Sequence, residues 1–347
     1  MSPDPPARSS VEISPAKPLR IAQVGLGAIG KACCRLAAGK RGLTLVGAAD
    51  ISPEINGKDL SSILGTEFPE PLTVYGSISE LIRETGPEVI LLTTGSRCET
   101  VLPQLEEILS LGVSCVTSAE EILIVDYRNP EAAARLQEIA ERHRTAVVGT
   151  GVNPGFVMDL LAILMTGVCE RVDALRAGRK IDLATRRKAL QKKAGVGMTV
   201  EEFRQQVDAG RMGHVGLMES AALICRCLGW DEGELIETIN PLTAEKEIAM
   251  AGWRVPKGRV LGLRHTVGLK RNWQELLRLD LQMSLGAKDP ADWVEIDGRP
   301  ELKLGIPGGV PGDWATAALL VHTAPSIFAA PPGLHTILDL PLVRFVP

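Results

Sequence analysis

A glycine-rich turn near the start of the sequence has the spacing that is typical of dinucleotide binding. Residues 25–30, GLGAIG, fit the pattern GxGxxG and lie between an apolar run and an alanine-rich segment. The first glycine permits a tight turn, the second lets a pyrophosphate approach the backbone, and the third lets the helix pack closely on the strand. The helix that follows would direct its first N–H groups at the phosphates. The predicted cofactor contacts in this turn are Gly25, Gly27, Ala28, Ile29 and Gly30.

An acidic residue lies about twenty positions downstream, as this type of site requires. Asp50 follows the apolar run 43–49. A carboxylate there can accept hydrogen bonds from both ribose hydroxyls and repel a 2′-phosphate, which favours NAD over NADP. Lys58 nearby could instead accommodate that phosphate, so both cofactors stay open. The alternative is a solvated loop aspartate.

Polar residues also follow the fourth and fifth predicted strands. Thr94 and Gly95 come after the fourth strand, at the sheet edge where doubly wound folds bind ligands, and we expect them to lie near the cofactor. Glu120 and Glu121 follow the fifth strand, where one or both carboxylates could handle the proton that accompanies hydride transfer. The alternative is a capping pair that opens the next helical turn.

The histidine, cysteine and serine side chains give weaker indications of function. His214 could contact a substrate, although an isolated histidine at a helix start is more often structural. Cys225 and Cys227 are two residues apart on a predicted helix and point to different faces, and no histidine pair has metal-ligand spacing, so no metal is expected. Neither Ser96 nor Ser118 lies in a Gly-x-Ser-x-Gly turn, which argues against a serine hydrolase.

The elements that must position these residues alternate between apolar runs and amphipathic segments. This alternation predicts an α/β fold, beginning with a doubly wound parallel sheet in a Rossmann domain over residues 19–150. The predicted strands lie near 20–25, 43–49, 88–93, 113–117 and 145–149, and the predicted helices at 28–39, about 101–111 and 130–143.

The pattern changes after Gly149, where Asn153 is a plausible helix N-cap with Pro154 at the first helical position. Residues 151–311 are expected to form a second, α+β domain for substrate binding, with a mixed or antiparallel sheet. Its predicted helices are 185–194, 199–209 and 214–228, and its predicted strands include 278–285 and 293–296. Residues 312–347 supply an apolar helix and a tail that pack back on the first domain.

Composition limits the class of function. The 347 residues are enough for two domains, and a net charge of −4 gives no electrostatic reason to expect nucleic acid or an anionic membrane. Seven cysteines, including the adjacent pair Cys33 and Cys34, are not typical of a secreted disulfide scaffold and indicate the cytoplasm. Residues 1–18 contain five prolines and no apolar signal-peptide core, which predicts a disordered tail. No apolar run is long enough to span a membrane.

Three later segments resemble a known family: 149–159 (GTGVNPGFVMD), 209–220 (AGRMGHVGLMES) and 308–313 (GGVPGD). They are similar to the 2,4-diaminopentanoate dehydrogenases and related native amine dehydrogenases, and the resemblance extends from Leu19 to Pro341. It implies a dihydrodipicolinate-reductase-like architecture, usually a homodimer. The implied reaction is oxidative deamination of a small amine, or reductive amination of a ketone or aldehyde with ammonia.

The resemblance also implies residue roles. A glutamate after the fifth strand holds ammonia or the amine and assists proton transfer, which points to Glu120, with Glu121 as the alternative. By analogy with dihydrodipicolinate reductases, Asn153 lies beside the nicotinamide. The implied step adds ammonia, held by Glu120, to a carbonyl above the nicotinamide, with loss of water before hydride reaches carbon.

Two other functions stay open. One is an imine or carbonyl reductase that does not use ammonia, and the other is a dinucleotide-sensing protein without turnover. The His-His-x-x-Lys signature of dihydrodipicolinate reductases is missing from the sequence, which argues against lysine biosynthesis. The basic run 186–193 could attract an anion, but such a run is usually a solvated helix face.

Overall fold

The computed structural model describes residues 17–230 and 233–347, so the predicted tail, residues 1–18, lies almost wholly outside the described part. The strands are β1 Leu19–Val24, β2 Leu43–Ala49, β3 Val74–Tyr75, β4 Val89–Leu92, β5 Ser114–Thr117, β6 Ala146–Gly149, β7 Arg171–Asp182, β8 Leu235–Thr243, β9 Ile248–Met250, β10 Trp253–Val255, β11 Val260–Arg271, β12 Gln274–Ser284, β13 Ala291–Arg299, β14 Leu302–Pro307 and β15 Gly333–His335.

The helices include the ones predicted for the first domain, with small differences at their ends. They are α1 Ala28–Ala37, α2 Leu60–Leu64, α3 Ile78–Thr85, α4 Cys98–Ser110, α5 Pro130–His143, α6 Leu160–Thr166, α7 Lys188–Lys193, α8 Val200–Asp208, α9 Leu217–Leu228 and α10 Gly312–Phe328. Short 3₁₀ turns cover Glu120–Ile122, Val125–Tyr127 and Leu183–Thr185.

The first sheet is parallel and doubly wound, as the sequence predicts. Its strand order is β15-β6-β5-β4-β1-β2-β3, and each neighbouring pair runs parallel. The chain leaves β1 toward β2 on one side and returns to β4 on the other. The loops after β1 and β4 therefore lie together at the carboxyl edge, where such sheets bind their ligands.

The strands of this sheet are buried on both faces, which explains their uninterrupted apolar runs. Alternate residues enter two separate cores. Ile21 and Leu91 belong to the core that includes residues of α1 and α10, whereas Ala22 and Ile90 belong to the core with residues of α4 and α5. Helix α10 therefore packs beside α1 on the first sheet.

The second sheet is mixed, which confirms the predicted architecture of the second domain. Its order is β14-β13-β7-β12-β11-β8, with β7 and β12 parallel and the other pairs antiparallel. Helices α6 and α9 contact this sheet. The predicted strand 278–285 corresponds to the second half of β12, which ends one residue earlier, at Ser284. The predicted helix 185–194 is shorter in the structure, where α7 covers Lys188–Lys193.

The structure contradicts the predicted helix start at Asn153 and Pro154. The peptide bond between these residues is cis, and Gly155 follows at φ +120°, so the segment is a tight turn. The next helix, α6, begins at Leu160, whose N–H donates to the Asp159 carboxylate at 2.6 Å. Proline is common both at the first position of a helix and in turns, so its presence did not distinguish the two, and Pro154 lies in a turn.

Candidate active site

The glycine turn after β1 has the shape that a phosphate group needs. Gly25 has φ +87°, and a Cβ atom on Gly30 would lie 1.9 Å from the Gly25 carbonyl oxygen, so both positions require glycine. A Cβ atom on Gly27, by contrast, would meet nothing within 4 Å. No side chain caps the α1 N-terminus at Gly27. The start of α1 therefore has no side-chain cap and has open space beside Gly27, which fits a bound pyrophosphate.

Asp50 lies at the carboxyl end of β2, beside this turn. Its Oδ2 accepts a hydrogen bond from the Leu26 N–H at 2.7 Å, and its Oδ1 accepts one from the Ser52 N–H at 2.9 Å. The side chain is half-buried, and each oxygen keeps a lone pair for a ribose hydroxyl. Lys58 is exposed.

The loop after β4 contacts the glycine turn directly. A Cβ atom on Gly25 would lie 2.9 Å from Thr94 Cγ2, and Thr94 itself is exposed. Gly95 packs against α4, because a Cβ atom there would lie 3.0 Å from Thr100 Cγ2. The structure therefore brings the predicted cofactor residues of β1, β2 and β4 together at one edge.

The two glutamates after β5 have different surroundings. Glu121 Oε2 accepts a hydrogen bond from the Cys98 N–H at 2.7 Å, and its Oε1 lies 3.8 Å from Arg97, so this side chain caps α4. Glu120 instead accepts a hydrogen bond from the Ser96 side chain. Burial raises the pKa of Glu120 above its ordinary value, although the Ser96 bond and nearby Lys193 act in the opposite direction.

Glu120 also meets the second domain at a point of close packing. A Cβ atom on Gly216 would lie 2.9 Å from Glu120 Cβ and 2.5 Å from Pro154 Cδ. Gly216 has φ +101° and precedes α9. Glycine is required here because α9, the cis proline turn and the Glu120 segment converge on this position.

Asn153 and His214 form the next part of the site. His214 Nε2 lies 3.0 Å from the Asn153 carbonyl oxygen, which only accepts, so Nε2 carries the proton and Nδ1 is an acceptor. Burial lowers the pKa of His214 to about 4, so the ring is neutral near pH 7. The Asn153 side chain is buried, and its Oδ1 has no hydrogen-bond partner within the described residues.

A second histidine holds the His214 loop in place. His265 Nδ1 accepts a hydrogen bond from the His214 backbone N–H at 3.1 Å, so its proton is on Nε2. That Nε2 donates to Glu237 Oε1 at 2.9 Å. The hydrogen bond from His265 lowers the pKa of Glu237. This chain fixes the orientation of the loop through strands β8 and β11.

Buried Asp159 connects the cis proline turn to α9. Its Oδ2 accepts hydrogen bonds from the Gly155 N–H at 2.8 Å and from Ser220 Oγ at 2.6 Å. The neighbouring Glu219 pairs with Arg128 at 2.5 Å. The start of α9 therefore contacts the cis proline turn through Asp159 and the segment after β5 through Arg128.

Two cavities adjoin these residues. The first has a volume of about 510 Å³ and lies between Asn153, His214 and the second sheet, where Ile181, Leu281 and Met283 line it. The second has a volume of about 720 Å³ and extends from Ser96 and Glu121 to the His214 loop.

Basic side chains border the first cavity. Arg179 and Asp292 form a buried ion pair with a 3.1 Å separation between Nε and Oδ1. Burial lowers the pKa of Arg179 and raises that of Asp292. Arg186 and Arg187 also line this cavity, so the run 186–193 is not simply a solvated helix face.

The comparisons with known proteins agree with this architecture. Residues 156–346 match the family described as the 2,4-diaminopentanoate dehydrogenase C-terminal domain. The chain belongs to this family. A 2,4-diaminopentanoate dehydrogenase of Acetoanaerobium sticklandii is 29% identical over 339 residues, covering 94% of this chain and 95% of that protein.

Solved structures share the fold of this family member. An amine dehydrogenase from Mycobacterium smegmatis superposes with a TM-score of 0.81 at 24% identity, covering 94% of this chain and 97% of the other. A probable dehydrogenase from Thermotoga maritima has a TM-score of 0.58 at 14% identity, with 92% of each chain covered. These likenesses establish the fold.

Sequence reasoning missed several residues of the site. His265 continues the inward alternation of Leu263, Val267 and Leu269 along β11, so its burial was predictable, but its contact with the His214 loop was not. Gly216 lies in one of the segments that carry the family resemblance. Across residues 17–230 and 233–347, no group of three or more histidine, cysteine or acidic side chains could hold a metal ion.

The same part of the chain contains no helix that is both long and apolar enough to cross a membrane.

Proposed function

We propose that this protein is an NAD(P)-dependent amine dehydrogenase that deaminates a small amine, or in reverse aminates a ketone or aldehyde with ammonia. Its family membership supports this reaction class. The observation that carries the proposal is the placement of Glu120. This half-buried carboxylate lies at the same sheet edge as the glycine turn and packs against Gly216, beside the Asn153–His214 pair.

A nicotinamide dinucleotide supplies or accepts the hydride in this reaction. Gly25, Gly27, Ala28, Ile29 and Gly30 would hold its phosphates at the uncapped start of α1. Asp50 would accept hydrogen bonds from the adenosine ribose, and this carboxylate favours NAD over NADP. Thr94 and Gly95 would border the cofactor where the β4 loop meets the glycine turn. The orphaned Asn153 Oδ1 is an acceptor that suits a nicotinamide amide group.

Glu120 is the catalytic residue of the proposal. As a carboxylate it accepts a hydrogen bond from ammonia and orients the nitrogen lone pair toward the carbonyl carbon. It then carries two protons, one after the other, from the added nitrogen to the oxygen, which leaves as water after the second transfer and leaves an imine. Burial helps this exchange because a raised pKa brings the carboxyl closer to the working pH.

The first cavity would hold the carbon skeleton of the substrate. Its apolar side chains on β7 and β12 suit a small aliphatic group, and His214 Nδ1 offers one hydrogen-bond acceptor at its border. His214 is neutral at the working pH, so it positions the substrate through this acceptor rather than through charge. Glu121 is committed to the start of α4 and is the structural member of the pair.

Steady-state kinetics test this assignment. Oxidation of NADH and of NADPH would be followed with a panel of small ketones and aldehydes, with and without ammonium at alkaline pH. We expect oxidation that depends on ammonium. Glu120→Gln should lower the amination rate by about 10²- to 10⁴-fold, the usual contribution of general acid–base catalysis, with NADH affinity retained.

Glu121→Gln is the matched control, and we expect it to affect thermal stability more than the rate. A Glu120→Gln enzyme with the full amination rate would remove the proposed role of Glu120. Turnover that ignores ammonium would instead identify an imine or carbonyl reductase.

We also propose a homodimer in the cytoplasm. The family resemblance supports the homodimer, and the cysteine usage supports the location. On β12, Leu277, Leu279 and Leu281 are buried while the intervening Arg278 points to the opposite face, where ion pairs such as Arg264–Asp280 lie. A charged sheet face of this kind could pair with a second copy, and light scattering would measure the mass in solution.

A further inference from the structure

The His214 loop, residues 210–216, separates the two cavities. Among the residues that the structure describes, His214 alone lines both of them. The first cavity lies on the side of β7, β12 and the start of α10. The second lies on the side of α4, α8 and β8. The site therefore has two spaces with different walls rather than one.

The walls of the two cavities differ in chemistry. Leu190, Leu281 and Met283 form an apolar part of the first, although Arg179, Arg186, Arg187 and Asp313 also line it. The second is lined by the carboxylates of Glu121, Glu219 and Glu237 together with the basic side chains Arg97, Arg128, Lys193 and Arg211. Charges of both signs are nearly balanced there, so the second cavity suits water and small polar molecules and neither traps nor repels a small cation.

Glu120 itself lines neither cavity, but residues that act on its carboxylate line the second. Ser96, which hydrogen-bonds to the Glu120 carboxylate, lines this cavity, and so does Lys193, which acts electrostatically on it. Neither residue lines the first cavity. Gly216, in contact distance of Glu120 Cβ, is a third wall residue of the second cavity.

The second cavity also reaches the surface. Arg97, Gly210 and Arg211 line it and are exposed, and an Arg97 guanidinium N–H donates to the Gly210 carbonyl oxygen at 3.1 Å. Ser96 lines the same cavity as these exposed residues and does not line the first cavity.

We propose that the second cavity is the path by which ammonia reaches and leaves Glu120, while the carbon substrate occupies the first cavity. This inference rests on the proposed amine dehydrogenase function. It predicts that the two substrates respond separately to mutation, because each enters through its own cavity. Narrowing one cavity should therefore raise the KM of the substrate that enters through it and leave the KM of the other substrate unchanged.

Val207→Trp tests the path, because half-buried Val207 lines the second cavity from α8. Leu190→Trp is the matched control in the first cavity. The KM for ammonium would be measured at saturating carbonyl compound, and the KM for the carbonyl compound at saturating ammonium. We expect Val207→Trp to raise the ammonium KM by about tenfold or more and to leave the carbonyl KM within about twofold of wild type. Leu190→Trp should do the reverse.

Arg211→Trp is the second path variant, chosen because Arg211 is exposed at the surface opening and its replacement does not disturb the core. Thermal melting and NADH binding would verify that each variant is folded. If both path variants raise the carbonyl KM, or leave the ammonium KM unchanged, the path is overturned while the amine dehydrogenase function stands. If the turnover rate of the wild-type enzyme does not depend on ammonium, both the proposed path and the proposed amine dehydrogenase function are overturned.

Discussion

Gly27 and Gly30 allow cofactor binding to be separated from stability within one turn. Gly27 has φ −65° and ψ −168°, which alanine also adopts, and a Cβ atom there meets nothing within 4 Å. We therefore expect Gly27→Ala to cost about 1 kcal/mol of folding free energy, the typical cost of replacing a favourable N-cap residue with alanine. The new methyl group would project into the space proposed for the pyrophosphate.

The expected loss of affinity follows from the hydrogen bonds that the methyl group prevents. A hydrogen bond to a charged group contributes about 1.5–3 kcal/mol. Each bond lost between α1 and a phosphate should therefore weaken NADH binding by about 10- to 150-fold. Fluorescence titration with NADH measures the Kd, and thermal melting measures the stability of the same sample.

Gly30→Ala is the contrasting variant. Its Cβ atom would lie 1.9 Å from the Gly25 carbonyl oxygen and 2.9 Å from both Gln23 Nε2 and Thr93 Oγ1, so the turn must shift. Overpacking of this kind costs at least about 1–3 kcal/mol, and the melting temperature should fall. Unchanged NADH affinity in Gly27→Ala, to within about twofold, would refute the placement of the phosphates at this turn.

Three further changes have expected outcomes. Asp50→Asn removes the charge that repels a 2′-phosphate, so the ratio of kcat/KM for NADPH over NADH should rise by about tenfold or more. Ser220→Ala leaves Asp159 with its backbone donors only, and urea denaturation should show a loss of about 1–3 kcal/mol. Burial lowers the pKa of His214 from 6.5 to about 4 in the folded protein. As the pH falls, His214 is therefore protonated in the unfolded chain before it is protonated in the folded protein. Stability should therefore fall between pH 6.5 and 4, and His214→Gln should reduce that slope.

The first domain was predictable because its signals are local. The glycine spacing, the apolar strand before it and Asp50 at the end of β2 all depend on residues close together in sequence. The same is true of α5, whose predicted start at Pro130 and end at His143 are confirmed. Parallel strands buried on both faces also give short, nearly continuous apolar runs, and these runs are bounded here by glycine and polar residues.

The second domain was harder because its strands are only half apolar. In β7, Arg176 and Lys180 alternate with buried residues, and Arg176 is balanced by Asp297 on β13, which is 121 residues away. No local pattern predicts such a partner. Local sequence also gave no reason to prefer Glu120 over Glu121, since the Cys98 N–H that binds Glu121 belongs to α4 and not to the segment after β5.

Strand β15 has a consequence for how this protein is made. It pairs with β6 at the edge of the first sheet, yet it follows the whole second domain in the sequence, and α10 covers α1 just before it. On the ribosome the nucleotide-binding half emerges first but lacks its last strand and one of its covering helices until translation is nearly complete. During that interval the β6 edge offers unpaired backbone groups to other chains. A gene fragment cut after β6 would keep that edge permanently, whereas one that joins residues 19–150 to 312–347 would close it.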